Sequence, residues 1–346
     1  MRSHGGKTRS VVMERTTTPE QTPSPLGGRR GRGTVGWVTS HDQEPIAHPP
    51  SPPPPEGGRR WSAFLCVMAV LLLSPSMWAA SLPTYGPARK LCVLANGRID
   101  ESSGLAASRR TPGVFWTHND SGDKPRLYAF DTTGADLGTF TVSGASATDW
   151  EDMASFSRDG KPYLLVGDIG DNATKRRHCT LYLVAEPAID RNDLKRKVDV
   201  LRTLRFTYAD GPHNCESLAV CPSTHAIFLV EKTLRPTCAV YSFPWPEDDT
   251  PQVARSVGKV LLPIATAMDI SADGNRMLIL SYAGAFEYAR GPEETWEAAL
   301  KRRSRMLPIP PTRQPEAIAY GAEGRSIYLT SEKTPTPLFL LPAAQP

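Results

Sequence analysis

One short pattern of polar and apolar positions recurs five times along the chain, as Ser103–Ala107, Glu151–Ser155, Glu216–Val220, Thr266–Ile270 and Glu316–Tyr320. Each copy carries an apolar anchor at its third position, and the anchors Leu105, Met153, Leu218, Met268 and Ile318 are 48, 65, 50 and 50 residues apart. A polar turn follows in each unit; Ser157–Gly160, Ser271–Gly274 and Gly321–Gly324 have the Asp/Gly chemistry of hairpins. Then comes a strongly apolar run, predicted as a second strand: Val114–Thr117, Tyr163–Val166, Ala226–Val230, Met277–Leu280 and Ile327–Thr330.

Third strands are predicted over Arg126–Phe130, Thr180–Val184, Ala239–Phe243, Ala285–Tyr288 and Pro337–Leu341, with fourth strands over Leu137–Val142, Leu201–Tyr208 and Val257–Leu262. Four short antiparallel strands at a period near 50 residues describe the blade of a β-propeller. The last unit ends after its third strand, and Lys90–Leu94, ahead of the first unit, is placed to supply the missing outer strand. The expected fold is all-β, a propeller of five four-stranded blades over residues 82–346. Six blades remain open if the long second unit hides another, and a β-sandwich is the competing all-β fold.

The start of the chain is different. Residues 1 to 60 hold nine basic and five acidic side chains and ten of the 33 prolines, which leaves 31 basic against 31 acidic groups in the rest. Residues 1–58 lack periodic apolar positions and read as a disordered, basic, Pro-rich leader. Arg59-Arg60, the apolar run Trp61–Leu73 and the small residues Ala79-Ala80-Ser81 have the layout of a secretory signal. Counted through Ala80, the same stretch is long enough to be a retained membrane anchor, with residues 61–80 as the membrane contact. Either way residues 59–81 predict an exported body: periplasmic, secreted or anchored outside the cytoplasm. A body with no net charge does not suit nucleic acid.

Of six cysteines, Cys66 lies in the leader and Cys92, Cys179, Cys215, Cys221 and Cys238 in the body. No Cys/His spacing suits zinc. Cys221 and Cys238 flank one predicted hairpin and are the candidate disulfide.

In a propeller the first strands line the central channel, so Glu151, Glu216 and Glu316 converge there, with Asp149, Asp152, His213-Asn214 and Gln314 as polar neighbours. The second-strand exits add His118-Asn119-Asp120 and Asp123, Asp168 with Asp171-Asn172, Glu231-Lys232, and Glu332-Lys333. Hard oxygen donors of this kind suit calcium or magnesium, and crowded carboxylates raise one another's pKa and can furnish a general base. Glu151, Glu216, Glu316, Asn119, Asp120 and Asp168 are the candidate metal ligands, with Ca²⁺ the candidate cofactor. A purely structural alternative has the glutamates bonding backbone amides between blades. His118 and His213 read as hydrogen-bonded loop residues, and Lys301–Arg305 and Lys175–Arg177 as solvated charge runs. Nucleophile elbows, phosphate loops and zinc-protease motifs are absent.

The segments Ser103–Ala106, Asn119-Asp120, Asp149–Ala154 and Asn214–Ala219 resemble the corresponding motifs of secreted bacterial β-propellers of the phytase-like (esterase-like) and SdiA-regulated kind. The resemblance covers roughly residues 98 to 245. Where those families place a glycine after the glutamates, this chain has Asp152, Ser217 and Ala317. The resemblance implies an exported propeller with a calcium or phosphoester connection. Two activities stay open: a binding or scaffold propeller presenting its face to a small molecule, glycan or protein, and a metal-dependent hydrolase of a phosphoester or lactone.

Overall fold

The computed structural model describes residues 82–344; the predicted leader, the export segment and Cys66 lie outside the described residues. The chain enters through β1 (Arg89–Val93) and then runs through antiparallel meanders. The first comprises β2 (Ser102–Ala107), β3 (Val114–Asn119), β4 (Arg126–Asp131) and β5 (Asp136–Ser143). In the second, β6 (Trp150–Arg158), β7 (Lys161–Asp168), β8 (Cys179–Ala185) and β9 (Lys195–Tyr208) follow in the same order. The third holds β10 (Cys215–Val220), β11 (Ile227–Glu231), β12 (Cys238–Phe243) and β13 (Gln252–Val260).

Next come β14 (Ala265–Ile270), β15 (Arg276–Ser281) and β16 (Gly284–Ala289). A short helix, α1 (Trp296–Ala299), capped by Thr295, then leads to the edge strand β17 (Arg305–Leu307). The last meander, β18 (Pro315–Tyr320), β19 (Ile327–Ser331) and β20 (Pro337–Leu341), takes β1 as its fourth strand, with Arg89 opposite Leu340 and Lys90 opposite Phe339. The outer strand expected from Lys90–Leu94 is therefore in place.

First strands pack in series: β2 on β6, β6 on β10, β10 on β14, β14 on β18, and β18 back on β2. Apolar side chains fill the space between each pair of neighbouring sheets. Leu164 and Val166 of β7 face Trp116 and Phe140 of the preceding meander, while Leu165 between them faces Leu218 and Tyr241 of the following one. Likewise Met268 and Ile279 meet Val230 and Val240, Leu278 and Leu280 meet Ile318 and Leu329, and Phe115 packs on Tyr328 with ring centroids 4.4 Å apart. Because both faces of each sheet are covered, the second strands read as continuous apolar runs rather than as alternation. The result is an all-β, propeller-type fold; a sandwich, in which each sheet packs on one other, does not describe it.

The long second unit spends its extra residues on β9 and on the loops 169–178 and 186–194. β9 pairs in parallel with both neighbouring edges, Thr139–Ser143 against Lys195–Asp199 and Gln252–Ala254 against Phe206–Tyr208. Two expectations are corrected. His118 belongs to β3 and is fully buried, not in a loop. Cys221 and Cys238 are both buried free thiols, as are Cys179 and Cys215. Cys221 follows β10 at one end of its sheet, whereas Cys238 opens β12 at the other end. At ~3.3 Å per residue a strand's length separates them, far beyond the roughly 7 Å limit for a disulfide.

Among the described residues no helix is long and apolar enough to cross a membrane.

Candidate functional site

Each first strand carries the same irregularity. Its register against the second strand slips by one residue, and the residue passed over is Ser103, Glu151, Glu216, Thr266 or Glu316. A β-bulge re-aims one side chain out of the pleat, so the first residue of the repeated pattern leaves the ladder at equivalent points of all five strands. A second repeat lies beside it. The residue ahead of each first strand accepts a backbone hydrogen bond from the residue just past the second strand. The pairs are Asp120 to Glu101 (3.0 Å), Ile169 to Asp149 (3.2 Å), Lys232 to Asn214 (2.8 Å), Tyr282 to Ile264 (3.3 Å) and Glu332 to Gln314 (3.3 Å). Ile264 and Gln314 take positive φ there, 53° and 46°, a costly conformation for a β-branched residue. Together these positions form one polar mouth at the start of the first strands.

The structure divides the six candidate ligands. Glu216 is ion-paired with Lys232 and accepts Asn214 Nδ2 at 3.3 Å; Glu316 accepts the Tyr282 hydroxyl. Lys232, which also lies 5.3 Å from the centre of the Tyr282 ring, supplies positive charge where an ion shared by three glutamates would sit. Burial first, and Glu216 and Glu332 with it, raises the Glu316 carboxyl to about 8 against the opposing pull of Lys232 and Tyr282.

Asn119 is spent on protein partners: its amide nitrogen donates to Arg98 O at 2.7 Å and to Asp100 Oδ1 at 3.0 Å. Asp168 is also engaged, by Arg176 Nη1 at 2.7 Å and by the Thr148 and Asp149 amides at 3.2 Å. It therefore positions the Asp149 loop from behind. Arg176 Nη1 continues to Gly170 O at 2.9 Å, tying the facing loop to the same clamp.

Asp120 and Glu151 do come together, and Asp149 joins them. One oxygen from each of the three carboxylates lies within 4.8 Å of the others. Glu151 is 4% exposed, yet neither of its carboxylate oxygens is among the buried polar atoms that lack a partner. Burial, followed by Glu216, Asp120 and Asp149, pushes its carboxyl well above the usual carboxylate range. Burial and Asp120 raise Asp149 too. Three converging carboxylate oxygens are a donor set that a divalent cation fits. Gly170 makes the approach feasible, since a β-carbon there would overlap Glu151 Oε1 and Asp149 Oδ2.

The bonds between meanders that the structural alternative gave to the glutamates belong to aspartates further along. Asp152 accepts the amides of Leu218 (2.8 Å) and Met268 (3.0 Å) on one oxygen and that of Met153 (2.8 Å) on the other. Asp269 accepts those of Tyr320 (2.9 Å) and Ile270 (2.8 Å). Gly104 replaces Asp152 in the first meander because His118 and the Met153 amide occupy the space of a side chain. Burial lowers the His118 pKa, so this ring, edge-on to Trp150, is neutral. His213 sits among Asp210, Glu231 and Tyr241 at 2.8–3.1 Å, a closed set of partners.

No known family and no curated protein matches the chain. Among solved structures it is similar to a chain of a structure described as "Crystal Structure of Mitotic Checkpoint Complex", at 12% identity and a TM-score of 0.37 over 70% of this chain and 62% of that one. A chain of the Kuenenia stuttgartiensis hydrazine synthase is similar at 11% identity and a TM-score of 0.38, over 70% of this chain and 72% of that one.

Proposed function

We propose that the chain is an exported five-bladed β-propeller that binds a divalent cation, Ca²⁺ by its donor chemistry, at the acidic mouth, and that the cation and its surround take up a ligand there. The observation that carries this reading is the convergence of one oxygen each from Asp120, Asp149 and Glu151 within 4.8 Å of one another. A site of three carboxylates suits a modest affinity, about 10⁻⁴ to 10⁻³ M, as in extracellular calcium modules. That range fits the export signal read in residues 59–81, and the phytase-like resemblance falls on the same residues, Asp120, Asp149 and Glu151.

Isothermal titration of the protein with CaCl₂ and MgCl₂ tests the reading. Saturable Ca²⁺ binding that Glu151→Gln abolishes supports it; absence of binding at millimolar Ca²⁺ overturns it. An amino terminus near residue 82 in the exported protein supports signal cleavage, and an intact terminus supports the anchor.

A second reading, hydrolysis of a phosphoester or lactone, is favoured by one observation: Glu316 holds its proton to about pH 8 in the same mouth, as a general acid must. A bound cation would supply Lewis-acid chemistry. Glu316→Gln would then remove turnover while leaving Ca²⁺ affinity in place.

A further inference from the structure

At the other end of the fourth and last meanders lies a cleft of about 840 Å³ with opposite electrostatics. Arg276, which lines it, opens β15, whereas Ser281 ends that strand at the acidic mouth; the two sites are a strand's length apart. Six arginines line the cleft, Arg276, Arg290, Arg302, Arg303, Arg305 and Arg325, against two carboxylates, Asp273 and Glu287. This concentration stands out in a chain with 31 basic and 31 acidic residues after Arg60.

Local partners leave much of this charge uncompensated. Glu287 answers both Arg305 and Arg276, the latter at 3.8 Å, and also accepts the hydroxyls of Tyr85 and Tyr320 at 2.8 Å. Arg302 pairs with Glu294. Arg290 lies over Trp296 and donates to the carbonyls of Gly274 and Glu294, with no carboxylate among its partners. Among the described residues Arg325 reaches only Ala344 O, at 3.2 Å, and Arg303 has no partner. Two arginines are set into the wall: Arg276 is 6% exposed, and the Arg305 Nε–H is buried with nothing to accept it.

We infer that this cleft binds a small organic oxyanion, a carboxylate or phosphate carried on an apolar body. Guanidinium forks match both headgroups in bidentate geometry. Leu82, Pro83, Tyr288 and Ala299 give the cleft apolar wall for the body of the ligand. Its volume is that of a small-molecule site, concave rather than the flat basic face that a polyanion or a membrane surface needs. The buried Nε–H of Arg305, together with Arg303 and Arg325, which form no ion pair among the described residues, provides the donors that an oxyanion would satisfy. This inference is independent of the cation at the mouth.

The test is titration of the protein with 1-naphthoate and 1-naphthyl phosphate, with 1-naphthol as the neutral control. Saturable binding of either anion is expected, at least about tenfold tighter than 1-naphthol; the better anion identifies the headgroup. Replacing both exposed cations, Arg303→Glu with Arg325→Glu, should weaken binding by about tenfold or more without altering the melting temperature, since among the described residues neither forms an ion pair. EDTA and Glu151→Gln should leave this binding unchanged even if they abolish Ca²⁺ uptake. Absence of binding at millimolar anion, equal affinity for 1-naphthol, or indifference to the double variant overturns the inference.

Discussion

Gly170 and the Glu151 carboxylate occupy adjoining space so closely that a single methyl group on the glycine would overlap Oε1. Gly170→Ala therefore tests the mouth without replacing a ligand residue. Overpacking of this kind costs about 1–3 kcal/mol, and the displaced carboxylates of Glu151 and Asp149 lose their common centre. Thermal melts with and without CaCl₂ should show a lower melting temperature and no Ca²⁺-dependent rise, whereas the parent rises with ligand as any native-state binder does.

Lys232 holds its proton more firmly than an ordinary lysine because Glu216 and Glu316 flank it. Its charge also acts against a second cation nearby, being among the influences that favour ionised Glu151. Lys232→Met should thus tighten Ca²⁺ binding by about tenfold, the effect of one unit charge at short range in a partly buried site. Calorimetry at fixed ionic strength checks it, and unchanged or weaker affinity would place the ion elsewhere.

Asp152 joins three first strands through one carboxyl group. Asp152→Ala strands three buried amides, and a loss of about 3 kcal/mol is expected in urea unfolding. Asp152→Asn should lose less, because an amide oxygen can still serve Leu218 and Met268 while its nitrogen faces the Met153 N–H.

The raised Glu316 pKa has a definite sign. In the unfolded chain the carboxyl ionises near 4.5, and in the folded protein near 8. Between these values the native state binds more protons, so this group's contribution to stability is complete below about pH 4.5 and is lost as pH rises to about 8. The slope from this one group is at most about 1.4 kcal/mol per pH unit. Glu316→Gln should flatten the decline in melting temperature between pH 5 and 8, and a variant that still tracks the parent would mean that another group titrates there.

How far the sequence foretold this structure depends on how local each signal was. The apolar second strands, such as Met277–Leu280 and Ile327–Thr330, lie within their observed elements because burial on both faces leaves a run that no loop would carry. β17 escaped notice: its three residues, two of them polar or exposed in place, begin on the last residue of the basic run Lys301–Arg305, and only the neighbouring strand β16 makes them a strand. That run read as solvated charge, yet Arg302, Arg303 and Arg305 line a cleft. Glu151 and Asp120 were visible as candidates, but their meeting with Asp149 joins separate meanders, and the bulges that aim the glutamates leave no mark in residue type. Lys232 shows the converse. As a lone lysine after Glu231 it had no motif, and pairing with Glu216 depends on the hairpin register.

The strand contributed by Arg89–Val93 bears on how the strand edges are covered. Its partner, Pro337–Leu341, is the last strand among the described residues, so the final sheet joins the two ends of the described body. Loss of Arg89–Val93 should leave β20, and loss of Pro337–Leu341 should leave β19, as an exposed strand edge that invites pairing with another copy.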